Sequence, residues 1–510
     1  MALLLALFLI MGIIIRQSVK GAVWSYLGIV IGYINVGLIM PKFFDTAQIG
    51  LVQLFASVSL IFAQFGTLGF TSVINRLFPL FRDHRQHHNG FLFLALVTGL
   101  LGFGLTVGGF VFLKPWIIET NTARSPLIVE YLWLLMPLVL MRIFYTLLDN
   151  YNKMLYDAVT GTFWLDFMHK VVNLLLILLF ACGLIDFPIF FAGYVLSMSM
   201  PLIPVVIVLI RRHNFHLEPR PAFVTPPLKK EIGMTMLFGF INGLASIILL
   251  NVDKVFVNQY LSLEEVGIFG VSTLFASLIR VPYNSVAKIA IGLISESWKR
   301  NDRAHISEIY RKASLNQAII GVLIFAGIVV NLDNIFAFLP PIYQSGRWVL
   351  IIYSAGILVN TVIGLAGNIT EISRYFRFNT LFLGISILIQ FLLSYLLIPR
   401  MGITGAALAT VITLVTISLF QAALQRIAFG ISGMTFQLLL VVGAGGAASL
   451  AGWAMPRLPL IPDIALRSLI VTALFMTIIL LLRISPEVND MAAKSWWTVK
   501  RFFRPEHQTP

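Results

Sequence analysis

The chain has 510 residues, of which 58% are hydrophobic and 11% charged, and its mean hydropathy is +0.91. Apolar stretches of about 20 residues recur from the first block to the last, which makes it an all-α integral membrane protein and excludes the soluble enzyme classes. Lys and Arg number 36 against 22 Asp and Glu, a formal net charge of +14, and the one cysteine, Cys182, sits in an apolar run, so a disulfide framework and a Cys-based metal site are both excluded.

Residues 1–20 form an N-terminal extension and cytoplasmic lead-in. Met1 to Ile15 is apolar but has neither a positive n-region nor a small-residue cleavage site, so it does not read as a signal peptide. Met11 is a natural start just before the first span, which sets a non-native stretch 1–10 against an interfacial helix. A window of about 19 residues then places about 14 spans, near 21–40, 50–72, 91–113, 126–147, 164–184, 187–210, 233–256, 265–290, 314–332, 346–366, 378–398, 402–424, 434–455 and 464–484.

Along that order, span one holds no carboxylate. Span two ends on Arg76, followed by a basic loop with Arg82 and Arg85; His84, His87 and His88 there have ligand-like spacing but no carboxylate beyond Asp83, so no metal site is assigned. Span four carries Arg142 near its cytoplasmic end. Span five opens on Asp166, His169 and Lys170, spaced i, i+3, i+4 and therefore on one face of an α-helix. Residues 211–232, with Pro219, Pro221, Pro226 and Pro227, read as an extended basic cytoplasmic linker. Asp253 and Lys254 close span seven as a structural charge pair, and span eight carries Arg280 and Lys288. Pro399-Arg400-Met401-Gly402 is a sharp joint between spans eleven and twelve. Gly443-Ala444-Gly445-Gly446 lacks a preceding strand and a following Lys-Ser/Thr, so it is close helix packing and not a phosphate loop. The tail, 485–510, interleaves Trp496, Trp497, Phe502 and Phe503 with Lys494, Lys500, Arg501 and Arg504, as expected of a helix lying on an anionic leaflet.

The positive charge is distributed by side. Roughly 26 of the 36 Lys and Arg fall on even-numbered connections and the two ends, and about eight on odd ones, so both termini are expected in the cytoplasm. This topology accounts for the basic excess without a nucleic-acid partner. An internal repeat is also present: Phe44-Asp45-Thr46-Ala47-Gln48-Ile49-Gly50, then Leu54-Phe55-Ala56-Ser57, is echoed by Leu261-Ser262-Leu263-Glu264-Glu265-Val266-Gly267, then Leu274-Phe275-Ala276-Ser277. Six spans separate the copies, so the repeat is parallel, and it divides the chain into a first lobe at 21–210, a second at 233–424 and two extra helices at 425–484.

Four segments resemble the multidrug/oligosaccharidyl-lipid/polysaccharide (MOP) exporter superfamily, and in particular its polysaccharide-biosynthesis flippase branch. They are Arg16 to Gly28, Val252-Asp253-Lys254 through Phe269, the amphipathic stretch from Glu296 to Lys312, and Ile398 to Thr410. The resemblance implies the two-lobed fold of the lipid flippases and multidrug exporters. It also implies translocation of a polyprenyl-diphosphate-linked oligosaccharide, a precursor of lipopolysaccharide, O-antigen or another surface polysaccharide, across the cell inner membrane. Membrane lipids and a polysaccharide polymerase or ligase are the implied partners.

A glycan and a diphosphate cannot cross hydrocarbon unaided, so a polar, cationic cleft is required. Arg280 is the first candidate, against a structural pair with a helix carbonyl or carboxylate, since an intramembrane arginine costs about 2.5 to 3.5 kcal/mol on insertion scales and the resembling lipid II branch places an arginine shortly before a proline in this span. Arg142, Lys288 and Arg76 are the further candidate cavity cations, each against a snorkelling or topogenic alternative. Asp166, His169 and Lys170 are candidates for coupling to H+, against the safer reading of a cytoplasmic interfacial salt-bridge set, with Na+ or the membrane potential as other driving forces and no cofactor expected. Two rivals share the fold: a peptidoglycan lipid II flippase, and a cation-coupled multidrug exporter, for which span one lacks the acid. A membrane enzyme would need a large outer loop, and the longest, Lys114 to Ser125, holds only Glu119, so no enzyme is expected.

Overall fold

The computed structural model describes Gln17 and residues 20–490; the stretch 1–10 and the aromatic tail with Trp496, Trp497, Phe502 and Phe503 lie outside the described residues. Among the described residues every regular element is helical. In chain order they are α1 (Lys20–Phe43), α2 (Thr46–Gly66), α3 (Phe70–Phe81), α4 (Phe91–Asn121), α5 (Pro126–Met154), α6 (Val159–Ala181), α7 (Phe187–Arg211) and α8 (Pro226–Tyr260). They continue with α9 (Leu263–Ser277), α10 (Arg280–Lys299), α11 (Arg303–Val330), α12 (Leu332–Phe338), α13 (Arg347–Ile363), α14 (Leu365–Ile372), α15 (Phe376–Phe429), α16 (Phe436–Trp453) and α17 (Leu460–Leu481).

Twelve of the described helices are long and apolar enough to cross a membrane, thirteen when the pair α9–α10, bent by 51°, is taken as one span. The expected fourteen differ from this count chiefly at α15, whose 54 residues contain both span eleven and span twelve. Gly402 there has φ +60, a left-handed conformation that glycine adopts without Cβ strain, and a Cβ on Gly405 would lie 2.3 Å from the carbonyl oxygen of Leu397. Eight residues along a straight helix would be about 12 Å apart, so the chain doubles back at the Pro399–Gly402 joint.

Two boundaries differ from the sequence expectation for physical reasons. Span two starts at Thr46 and not near 50, because Asp45 and Gln48 form a capping box in which the Asp45 amide donates to Gln48 Oε1 at 3.1 Å. The linker yields to helix at Pro226, since Pro226 and Pro227 occupy the first helical positions, where a missing N–H costs nothing.

The described residues form two compact units, those up to 275 with 387–409, and 276–386 with those from 410 onward. This division falls within the α9–α10 region, whereas the two lobes drawn from the repeat meet at the linker. The first unit holds α8 as well as α1–α7, because α8 lies along α2 and α3. In the second unit the core is built where α11, α16 and α17 meet, with Val322, Ala326, Val441, Ala444, Phe475 and Ile479 buried together. Ala444 and Gly445 face into that seam, so the glycine-rich run of span thirteen does serve helix packing.

Within the first unit the sequence repeat becomes a reciprocal contact. A Cβ on Gly50 would lie 1.9 Å from the carbonyl oxygen of Leu263, and a Cβ on Gly267 would lie 2.1 Å from that of Thr46. Thr46 and Leu263 are matching positions of the two copies, as are Gly50 and Gly267. Each copy therefore seats its glycine on the first turn of the other, and a local two-fold axis passes between α2 and α9.

Candidate functional site: cations held within the spans

The first unit gathers most of the candidate residues. α1 and α6 pack along one another, and each contains a π-helical turn, Ile34–Ile39 in α1 and Phe163–Met168 in α6. Such turns widen the helix, redirect the side chains on it and recur at functional sites. Asp166 lies inside the second one and accepts a hydrogen bond from Ser25 Oγ at 2.5 Å, while Asn35, 3% exposed, donates from Nδ2 to the backbone oxygen of Lys170 at 2.8 Å. Trp24 packs on Phe163 and Phe167, with ring centroids 4.8 and 4.9 Å away, and fixes the same register.

Arg142 of α5 stands between α2 and α7. Its Nη1 lies 3.5 Å from the carbonyl oxygen of Ala56 and its Nη2 3.6 Å from Met198 Sδ, so the hydrogen bonds it has are long ones to neutral acceptors. Among the described residues no carboxylate pairs with it in an ion pair. His169 and Tyr194 are within electrostatic reach of Arg142, and Asp166 within reach of Lys170. Of the predicted trio, His169 is thus the member near Arg142, while the π-turn sets Asp166 toward Ser25 and α1, with Lys170 in its reach. The other acids of this region are already paired: Asp149 with Lys153 at 2.6 Å and Asp157 with Arg212 at 2.9 Å. Arg142 and Lys170 against Asp166 leave an excess positive charge among the spans, an arrangement that favours an anionic group and would be costly without one.

Arg280 belongs to the second unit and is the first residue of α10, directly after the bend. It is half-buried and makes no hydrogen bond or ion pair among the described residues; Tyr283, one turn on, is within its electrostatic reach. Pro282 sits within the first turn, where it has no N–H to offer Leu278 and crowds the preceding turn, and Gln317 Nε2 donates to the backbone oxygen of Ile279 at 3.2 Å. The guanidinium therefore stands at a helix N-terminus, where the backbone partial charge is also positive.

The other candidates are placed differently. Lys288 is exposed two turns further along α10. Arg76 is 71% exposed and lies 3.9 Å from Glu231, a solvated pair in the middle of α3. Asp253 is buried, at 1% exposure, and its Oδ1 accepts from the backbone amide of Lys254 at 2.8 Å, a local turn contact between neighbours.

Sequence reasoning missed Ser25, Tyr194 and Gln317. Gln317 carried a signal, being a lone amide in an apolar stretch of α11 that must find a partner in the membrane. Ser25 and Tyr194 carried none, since their roles depend on the π-turn and on the approach of α5 to α7.

Long apolar helices that hold cations within their spans define a multi-span membrane protein. Residues 18–298 match the polysaccharide biosynthesis protein family, and the chain belongs to it. Among curated protein sequences none matches this chain. Of solved structures, the lipid II flippase MurJ in an inward closed conformation superposes with a TM-score of 0.72 at 14% identity, over 91% of this chain and 98% of that one. An inward-facing multidrug resistance MATE family transporter of the MOP superfamily gives 0.60 at 16% identity, over 80% and 94%. A MATE transporter in complex with MaL6 gives 0.55 at 14% identity, over 82% and 96%. The likeness to these three structures is one of fold.

Proposed function

We propose that this protein translocates a polyprenyl-diphosphate-linked oligosaccharide, a surface-polysaccharide precursor, across the inner membrane, with both termini in the cytoplasm. The observation that carries the reading is two intramembrane arginines, one in each unit, with no carboxylate partner among the described residues: Arg142 between α2 and α7, and Arg280 at the α10 N-terminus. A diphosphate supplies the missing counter-charge, and the guanidinium fork matches phosphate oxygens. The family and fold support a flippase; the arginines support an anionic cargo over a cationic drug. Alternating access of the two repeat-related lobes is the proposed cycle, with the glycan in the polar interior and the lipid tail left in the bilayer.

The Asp166, His169 and Lys170 group is the proposed coupling element, because Asp166 is the acid of this region left without an ion pair and it meets α1 through Ser25. Deleting the gene in its host and analysing the polyprenyl-diphosphate lipids by mass spectrometry tests the cargo. Accumulation of one completed lipid-linked oligosaccharide with loss of a surface polymer is the expected result. An unchanged lipid pool, with both surface glycan and peptidoglycan intact, would overturn it and point to a small-solute exporter.

A further inference from the structure

The second unit holds a cavity of about 800 Å³, lined by α12 and the ends of α11, α13, α16 and α17. Its floor is a buried, fully engaged pair. Arg467, 7% exposed, donates from Nε to Asp463 Oδ2 at 2.6 Å, and its Nη1 donates to the Gly452 oxygen at 2.8 Å. Asp463 also accepts from Asn334 Nδ2 at 2.6 Å and from the Leu458 amide at 3.0 Å, so this pair clamps the α16–α17 connection and has little capacity left for a ligand.

The rim is different. Asp333 is shared by two guanidiniums, that of Arg347 and that of Arg457, the latter at 3.2 Å. One carboxylate cannot neutralise two arginines, so the five charged groups lining the cavity sum to +1. Arg457 is 87% exposed and has one bond to Asp333, which leaves most of its donors free. Trp348 and Trp453 stand on the same rim, 62% and 55% exposed, one at the start of α13 and the other the last residue of α16. Two exposed indoles at span ends mark the level of the lipid headgroups, and the deeper wall, with Val329 and Ile351, turns apolar.

A cavity of this size with arginines at the headgroup level, indoles beside them and an apolar wall below suits a phosphodiester on an acyl-chain anchor better than a soluble anion. We infer that this cavity binds the headgroup of an anionic phospholipid, of the phosphatidylglycerol class, with Arg457 and Arg347 on the phosphate and Trp348 and Trp453 against the glycerol. The charges fall on odd-numbered connections, which the positive-inside expectation places on the outer face, so the lipid would come from the outer leaflet.

Native mass spectrometry of the full-length purified protein, titrated with phosphatidylglycerol or phosphatidylcholine, tests the assignment. The expected result is tighter retention of phosphatidylglycerol, with Arg457→Gln weakening it about threefold and leaving phosphatidylcholine unchanged. Asp333→Asn frees both guanidiniums and should strengthen phosphatidylglycerol binding by a similar factor, an effect that misfolding cannot produce. Equal retention of the two lipids by the wild type, or an Asp333→Asn protein that binds phosphatidylglycerol no better, would overturn the proposal. So would inorganic phosphate competing as well as the lipid does, which would assign the cavity to a soluble anion.

Discussion

The two copies of the repeat begin alike and end differently. α2 runs 21 residues from its capping box before the chain breaks at Thr67–Gly69, whereas α9 stops after 15 residues, at Ser277, and the chain bends by 51° into α10. At the shared Leu-Phe-Ala-Ser motif each copy has a cation close by, but the source differs. In the first, Arg142 is brought in from α5 and reaches the oxygen of Ala56; in the second, Arg280 follows three residues after Ser277 in the same strand of sequence. The glycine contact is where the copies must stay identical, because backbone meets backbone there. The charges are where they have diverged, because a positive group can be offered to the same place by either route.

The strongest test of the shared part is to fill the glycine positions. Gly50→Val and Gly267→Val each place a side chain into space already taken by a carbonyl oxygen, at 1.9 and 2.1 Å. The backbone cannot yield without separating α2 from α9, so a loss of about 3 kcal/mol or more is expected, seen as low membrane-inserted yield and a collapsed thermal transition. If both variants purified with wild-type melting behaviour, the reciprocal contact would not hold the unit together.

The divergent part predicts a functional loss without that collapse. Arg280→Ala and Arg142→Ala should each lower transport about ten- to a hundredfold, the worth of one charge-assisted hydrogen bond, while expression and melting temperature stay near wild type. Arg142→Lys should recover part of the activity, since charge survives and the fork is lost. An Arg280→Ala protein with full transport would remove that residue from the site. A smaller effect is expected at the bend itself: Gln317→Leu leaves the Ile279 oxygen without its donor and should cost about 1 kcal/mol, lowering the melting temperature by a few degrees. If the melting temperature were unmoved, the glutamine would not be what holds the bend.

How much of this was legible in the chain follows the range of each interaction. The spans, the repeat and the intramembrane arginines were readable, because hydropathy and the cost of a charge in hydrocarbon act on each residue wherever its neighbours lie. The glycine contact was half legible: the repeat exposed the matching positions, but only the crossing of α2 and α9 shows that they meet. Asp166, His169 and Lys170 were placed on one face by assuming α-helical spacing, and the π-turn at Phe163–Met168 breaks that assumption. The cavity between the ends of α11, α13, α16 and α17 was out of reach, since Asp333, Arg347, Trp348, Trp453 and Arg457 come from three separate stretches of sequence.

The smallest expected effect concerns the linker that joins the two repeat copies. His216 stacks on His87 with ring centroids 3.8 Å apart, and Glu218 lies 3.2 Å from His87 Nδ1 and 3.6 Å from Arg220, so the linker is tied to the loop after α3. The hydrogen bond from His87, with its charge and those of Arg220, holds the Glu218 carboxyl below its ordinary 4.5. A depressed carboxyl pKa stabilises the tie above the unfolded value and loses that contribution as pH falls through the folded one. Hydrogen exchange of residues 213–225 should therefore stay slow from neutral pH down to about 4.5 and, corrected for intrinsic rates, speed up below it. Glu218→Gln should give the faster exchange at every pH, with little change in global melting, because the groups are exposed and screened. Exchange in the wild type that did not respond to acid would show that the linker is held by packing, such as Phe223 on Phe81 at 4.9 Å, and not by this charge contact.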